Sequence, residues 1–514
     1  MMTKNIPPDK FKFAQANERI CDEKFETKQI GYFRDALIRF KRNKASVTAF
    51  AIIVLVVVSA LLTSFFSPLE MSDVDGVYSR ARPRIEFFAN MGFWDGGNNL
   101  TINNRNLVAI QAIGVGAESH SEVATWEQGS NSVYNPLMFI DESFISEGTE
   151  LRTVRVNSYL TPGFAYITLS SMEELEEIFA WEQESGLNVV FPMINTRSQY
   201  ISQFNVADAN FWFRHSANSD PIDANGQPMT DLNAVMEHGL LDNYLRDGDG
   251  NIAYHRIMDL DMISIRVLYY NYYQFLNGRE PRFVLGADAM GYDIMVRLAN
   301  GILLSLALAF SVSFINLTIG AYLGALQGYF GGLLDLFLQR LTEIISNFPF
   351  LILYSLIAVH LVNTGRLNAF WGLILAFVVA GWIGTSFVVR MQFYRFKNEE
   401  YILAARTLGA KDNRLMFKHI FPNAIGTIIT SSVLVIPFVI FTESTLSFLG
   451  IVNFDSATTS SLGSMLANGR GVLASDPHIL LFPSIIVSLL MISFNLFGNG
   501  LRDAFNPSLR GTEE

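Results

Sequence analysis

One run without charge constrains this chain most. Ala45 to Phe66, twenty-two residues, follows directly on Lys41-Arg42-Asn43-Lys44. About twenty apolar residues cross a bilayer core as a helix, so the run predicts a transmembrane helix. The basic cluster before it predicts a cytoplasmic N-terminus. Further apolar runs near 301–325, 340–362, 369–389, 425–448 and 479–499 bring the expected spans to six. Half of the 514 residues are hydrophobic and the mean hydropathy is positive. That suits a polytopic membrane protein rather than a string of soluble domains. Gly320, Gly324, Gly372, Gly381 and Gly384 stud these spans, as close helix packing in lipid favours.

Charge then sorts the remaining segments by side. All ten lysines lie at positions 4 to 44 or 397 to 418. Residues 67–285 carry 29 Asp/Glu, 13 Arg and no Lys, a net −16 within a chain of −11. With six spans the two lysine-bearing regions share a side. The positive-inside rule therefore puts 1–44, 326–339, 390–424 and 500–514 in the cytoplasm and the acidic insert outside it.

The insert reads as folded. Leu151–Tyr159, Ala165–Leu169 and Leu187–Phe191 have strand composition, and Ser171-Met-Glu-Glu174 opens a helix through Glu182. Phe211-Trp212-Phe213 and Tyr269 to Tyr273 are expected as aromatic core. Asp247-Gly-Asp-Gly-Asn251 lacks the spacing and closing Glu of a calcium loop and predicts a tight turn. Tyr32 to Phe40 has apolar and basic residues at helical spacing; it fits an amphipathic helix on the inner membrane surface or a solvated one. The expected fold class is an α-helical polytopic membrane protein of six transmembrane helices. Its parts are a tail (1–44), helix 1 (45–66), an α+β insert (67–285) and a membrane core (286–510).

Much chemistry is excluded. No GxxxxGK[ST] loop is present, so ATP binding by this chain is not expected. The seven histidines are scattered without HExxH or zinc spacing, and no GxSxG elbow occurs. The lone Cys21 has no intrachain partner. Basic residues form short membrane-flanking patches rather than a nucleic-acid stripe. No catalytic residue, metal or cofactor is expected, and no nucleic-acid partner.

The longest polar run of the second half is Met391 to Ala424. Between Arg390 and Asn423 it holds seven Lys/Arg against three acids. Ala404, Ala405 and Gly409 lie about one helical turn apart, where small residues let another surface approach a backbone. Tyr401-x-x-Ala-Ala-Arg-x-Leu-Gly-Ala, then His419-Ile-Phe-Pro-Asn423, resembles the EAA loop of ABC-importer permeases. Leu285-Gly-Ala-Asp288-x-x-Gly291-x-Asp293-x-x-x-Arg297 resembles the family's GTDxxGRDxxxR signature, with Ala287 and Tyr292 replacing Thr and Arg. Glu443-x-x-Leu-Ser-Phe-Leu-Gly450 and Gly498 to Arg510 resemble two later motifs, with Asn499 and Asn506 in place of acids. Pro83 to Gly96, Asp208 to Phe213 and Arg266 to Tyr273 resemble segments of Gram-positive oligopeptide permeases.

The resemblance implies a type I ABC-importer fold and the C-type permease subunit of a bacterial oligopeptide or dipeptide importer in the plasma membrane. It implies a second permease, two ATPase subunits, an extracytoplasmic binding lipoprotein, a peptide substrate and membrane lipid as partners. Tyr401, Ala404, Ala405, Arg406, Leu408, Gly409, Asp412, Arg414 and Pro422 would couple to the ATPases. Among these, the small residues would seat the coupling helix, and Arg406, Asp412 and Arg414 would orient it. Leu403 stands where the family motif has Glu. Glu443 is expected either on the translocation path or as glue between helices, Asn316 and Asn495 rather as interhelical hydrogen-bond partners. Asp288, Gly291, Asp293 and Arg297 form the outer signature. An ion pair is expected among Asp335, Arg340 and Glu343. The insert is a candidate docking surface for the binding protein. Two alternatives stay open: a membrane receptor with an outer sensing domain, and a permease for a non-peptide substrate such as nickel.

Overall fold

A computed structural model describes residues 32–505 except 90, 121, 147–148, 196–207 and 259–261. The tail before residue 32, with Cys21, and the end of the C-terminal motif from Asn506 lie outside the described residues. The described part begins with helix α1 (Tyr32–Arg42), which is amphipathic and packs on the end of the last helix. Asn43 then caps α2 (Lys44–Phe66), its side chain accepting from the Ser46 N–H. Ala49, Ile53, Val56 and Ala60 recur every three or four residues and form the buried stripe of α2.

The insert folds around two small sheets. In the first, strands β1 (Gly97–Asn103) and β2 (Leu137–Ser146) flank β3 (Thr149–Asn157), all antiparallel; α3 (Asn104–Glu118) follows β1. In the second, β4 (Phe164–Leu169), β5 (Val190–Phe191) and β6 (His255–Ile257) all pair with β7 (Ile263–Leu268). Between β4 and β5 runs α4 (Met172–Ser185), capped by Ser171. After β7 comes α5 (Tyr269–Asn277). The aromatic runs are core, as their composition suggested. Trp212 and Phe213 are buried beside Phe164 and Phe191, with the Trp212 indole donating to the Ala112 carbonyl at 2.8 Å. Tyr269 and Tyr273 pack with Tyr78 and Tyr159. The strand expected over 187–191 shrinks to two residues. Asp247 makes the expected tight turn, its carboxylate accepting from the N–H groups of Asp249 and Asn251 at 3.0 and 2.8 Å.

The membrane core follows. Its helices are α6 (Ile294–Phe330), α7 (Gly332–Ser346), α8 (Phe350–Val362), α9 (Ala369–Phe396), α10 (Glu400–Thr407), α11 (Asp412–Phe448), α12 (Leu462–Arg470) and α13 (His478–Phe505). Among the described residues, α2, α6, α9, α11 and α13 are each long and apolar enough to cross a membrane. Over the span expected at 340–362 the chain is bent: α7 and α8 meet at 79° and make a sixth crossing only if taken together. The break falls at Asn347-Phe348-Pro349. Proline has no N–H to donate and disfavours a helical residue before it.

The helices also outrun the apolar windows. At 1.5 Å per residue the 37 residues of α6 extend about 55 Å, well beyond a hydrocarbon core of about 30 Å. Helix α6 therefore reaches from the outer signature to the polar segment at the other face. It lies along α9, and glycines make that contact close. A Cβ on Gly320 would stand 2.7 Å from Thr385 Cβ, and one on Gly328 2.5 Å from Phe393 Cβ. The insert rests on this core. Arg82 reaches the Ser475 carbonyl at 2.6 Å and Asp476 at 3.4 Å.

Candidate functional site

The polar segment after α9 is moored rather than free. Ile402 from α10 and Leu415, Met416 and Ile420 from α11 are fully buried against Ala325, Tyr329, Val389 and Phe393. Helix α10 stops where the sequence places its glycine. Gly409 has φ +86°, the left-handed conformation that closes helices, and the Ala410 N–H returns to the Ala405 carbonyl at 3.1 Å. The mooring leaves one face of α10 outward. Tyr401, Leu403, Ala404, Arg406, Leu408 and Gly409 are exposed, Leu408 by 88%. Ala405 turns inward and packs on the buried cluster, so the small residues do not share one open face. Pro422 and Asn423 are exposed, and the Asn423 amide donates to the Tyr401 hydroxyl at 3.1 Å.

Arg406 and Asp412 meet at a residue that the sequence reading missed. The hydroxyl of Tyr329, in the last turn of α6, donates to Asp412 and accepts from Arg406 at 3.4 Å. Its signal was an aromatic in Gln327-Gly-Tyr-Phe-Gly-Gly332, just where the span's charge-free run ends. Arg414 is expected, with Arg406 and Asp412, to orient the coupling helix. It is exposed and makes no side-chain polar contact among the described residues.

A second tie sits beside the first. Asp335 of α7 accepts from Arg390 Nε and Nη2, both at 2.7 Å, and from the Tyr394 hydroxyl at 2.7 Å. The ion pair expected within 335–343 is thus split: Arg340 pairs with Glu343 at an exposed site, while Asp335 reaches across to α9. Replacing Arg390 by Met should leave this sheltered carboxylate with only Tyr394. The expected loss is about 2–3 kcal/mol, read as a lower midpoint of thermal unfolding in detergent.

The outer signature is a structural knot. Asp288 accepts from the N–H groups of Met290 and Tyr292 at 2.9 and 3.0 Å. Gly291, at φ +96°, lets the chain pass directly against the Asp75 backbone. Asp293 caps α6 by accepting from the Val296 N–H at 2.9 Å. Arg297 pairs with Asp455, donates to the Ser456 carbonyl at 3.1 Å and lies over the Tyr292 ring at 4.2 Å. Tyr292, one of the two departures from the family signature, thus supplies a cation–π seat for the signature arginine.

Burial pushes the Asp293 carboxyl up to about 6, with Asp288 adding to the rise and backbone N–H groups and Arg279 opposing it. Since the folded value lies above the unfolded one, Asp293 stabilises the fold in its protonated form. That contribution is full below about pH 4 and is lost as pH rises through about 6. Asp293→Asn keeps a good cap without the charge. Between about pH 5 and 7 the native unfolding midpoint should fall relative to this variant, by the equivalent of about 1–2 kcal/mol.

Glu443 is fully buried and accepts from Ser305 and Ser447 at 3.1 Å each. Gly463 is pressed close to the same carboxylate, 2.9 Å from where its Cβ would be. Glu443 therefore ties α6, α11 and α12 in one serine-lined contact. Neither asparagine makes the expected bond between helices. Asn316 is buried against Gly381, and its amide has no hydrogen-bond partner among the described residues. Asn495 is exposed and donates to Met491 of its own helix at 2.8 Å. It lies one residue off the buried stripe Leu490, Phe494, Gly498, so it faces outward.

Comparison with known proteins finds likeness in two separate stretches of the chain. Residues 316–511 match the family described as binding-protein-dependent transport system inner membrane component. Residues 31–83 match the N-terminal TM domain of oligopeptide transport permease C. The chain is 38% identical over 225 residues to the oligopeptide transport system permease protein OppC of Bacillus subtilis (strain 168), covering 44% of this chain and 72% of that one. It is 37% identical over 234 residues to OppC of Haemophilus influenzae, covering 45% and 72%. It is 37% identical over 226 residues to the dipeptide transport system permease protein DppC of Bacillus subtilis (strain 168), covering 44% and 68%.

Proposed function

The chain belongs to the family of binding-protein-dependent transport system inner membrane components, among its oligopeptide permease C relatives, and from that premise we propose how it works. It is the membrane-spanning, non-catalytic subunit of an ABC importer that carries oligopeptides or dipeptides into the cell. It is a multi-pass membrane protein of the type I importer kind, with both termini cytoplasmic and the acidic insert outside. A second permease, two ATPase subunits that hydrolyse ATP and an extracytoplasmic binding lipoprotein complete the machine.

The observation that carries this reading is the run of family likeness through the moored segment 400–423, whose outward face is exposed. That face is where the ATPases dock. When they close on ATP, α10 is displaced. Arg406 and Asp412, both joined to Tyr329, pass the displacement to α6, and Asp335 with Arg390 keeps α7 in step with α9. Because α6 runs unbroken to the outer signature, one movement at the inner face reaches the outer end of the path. The bundle then switches between two packings that open to opposite sides. Asn316, buried with no hydrogen-bond partner for its amide among the described residues, is a candidate path residue. Glu443, enclosed by serines, is better suited to holding helices together.

The test is purification of the tagged full-length chain from native membranes in mild detergent, with identification of what accompanies it. Recovery of a P-loop ATPase and a second permease, together with peptide uptake by the reconstituted complex, is the expected result. Recovery of the chain alone would favour the receptor alternative. Uptake of nickel but not peptides would replace the substrate.

A further inference from the structure

Helix α1 crosses the end of the bundle without closing on it. Phe40 meets Phe497 edge to face at 5.6 Å, and Phe50 stacks on the same ring at 5.4 Å. Between these contacts opens a groove of about 370 Å³, lined by Phe33, Ala36, Leu37, Phe40, Phe50, Phe497, Leu501 and Phe505. Every lining side chain is apolar, and Phe33 and Leu37 are more than half exposed. A water-filled groove of this composition would be costly, so an apolar occupant is required.

The rim says which one. Lys41 follows Leu37 by one turn of α1, which sets it beside the groove wall, and Lys44, exposed, opens α2 directly after α1 ends. Arg34 and Arg502 are exposed next to lining residues. Of the acids nearby, Asp35 is engaged by Arg39 at 2.9 Å, and Asp503 is exposed. The balance is strongly positive around an apolar slot, at the level where α2 and α13 leave the membrane.

We infer that this groove is a binding site for an anionic phospholipid, one acyl chain lying in the slot and the phosphate-bearing headgroup facing Lys41 and Lys44. Amphipathic helices bury an apolar face at the acyl boundary while their cations attract acidic headgroups. Here the helix also supplies a walled slot, which turns general membrane attraction into a site. The inference does not depend on what the protein transports.

The test uses the full-length chain, stripped of lipid in detergent and offered equal amounts of phosphatidylglycerol and phosphatidylcholine with identical acyl chains. Retention is read by native mass spectrometry. Phosphatidylglycerol should be retained in clear preference. Lys41→Glu with Lys44→Glu, both at exposed positions, should cut that preference on the order of tenfold. Leu37→Trp, which fills the slot from an exposed position, should reduce retention of both lipids. Equal retention of the two lipids by the native chain, or a preference indifferent to both sets of substitutions, would overturn the site.

Discussion

Gly324→Val is expected to abolish recovery of the folded chain, whereas Gly384→Val leaves it unchanged. Both glycines lie in membrane-crossing helices of the same pair. A Cβ on Gly324 would fall on the Ser386 carbonyl oxygen and within 2.9 Å of Val389 Cβ. The obstacle is helix backbone, which cannot yield as a flexible side chain does. Relief requires α6 and α9 to separate, and overpacking of this kind costs about 3 kcal/mol or more. Much of the contact along Gly320, Gly324 and Gly328 would be forfeited with it, out of a total stability of about 5–15 kcal/mol. A Cβ on Gly384 meets nothing within 4 Å. Size-exclusion profiles and thermal unfolding of the two variants in detergent check this. Recovery of native-like Gly324→Val would mean that the close α6–α9 packing is not required.

Gly409→Glu is expected to do the opposite: little to folding, much to transport. The residue adopts φ +86° and has open space around it. A side chain there adds roughly 1–2 kcal/mol of backbone strain at the exposed end of α10, a shift of a few degrees in the unfolding midpoint. It also sets a charged side chain beside exposed Leu408, in the middle of the proposed docking face. Loss of about 1.4 kcal/mol of docking free energy already lowers ATPase recovery tenfold. Peptide uptake and ATPase co-purification should therefore drop by about tenfold or more. Gly409→Ala imposes the strain with little bulk and should retain most of both. If Glu and Ala behave alike, strain rather than docking explains the loss. If neither changes partner recovery, α10 is not the docking element.

Helix α6 shows where reading the chain in one dimension stops. Its apolar window ended near residue 325, yet the helix continues to Phe330 and places Tyr329 between Arg406 and Asp412. Apolar periodicity reports what contacts lipid or core. It is silent on a tyrosine whose hydroxyl finds its partners some 80 residues away. Asp335 is similar: Arg340 is the cation close to it in the chain, and only the crossing of α7 over α9 brings Arg390 to it instead. Asn495 differs for another reason: a polar residue in an apolar run suggests an interior bond, but its helical face points outward and its amide bonds within its own helix.

What the sequence by itself determined is whatever depends on local composition. The charge-free runs set the membrane-crossing helices, and Ser171, Asn43 and Gly409 set helix ends by satisfying or turning the backbone locally. The motif residues set the family. The tertiary structure alone decided the inward turn of Ala405 and the clamp at Tyr329. Each of these depends on which surfaces meet across long separations in the chain, and such pairings follow from packing the whole bundle rather than from any one stretch of it.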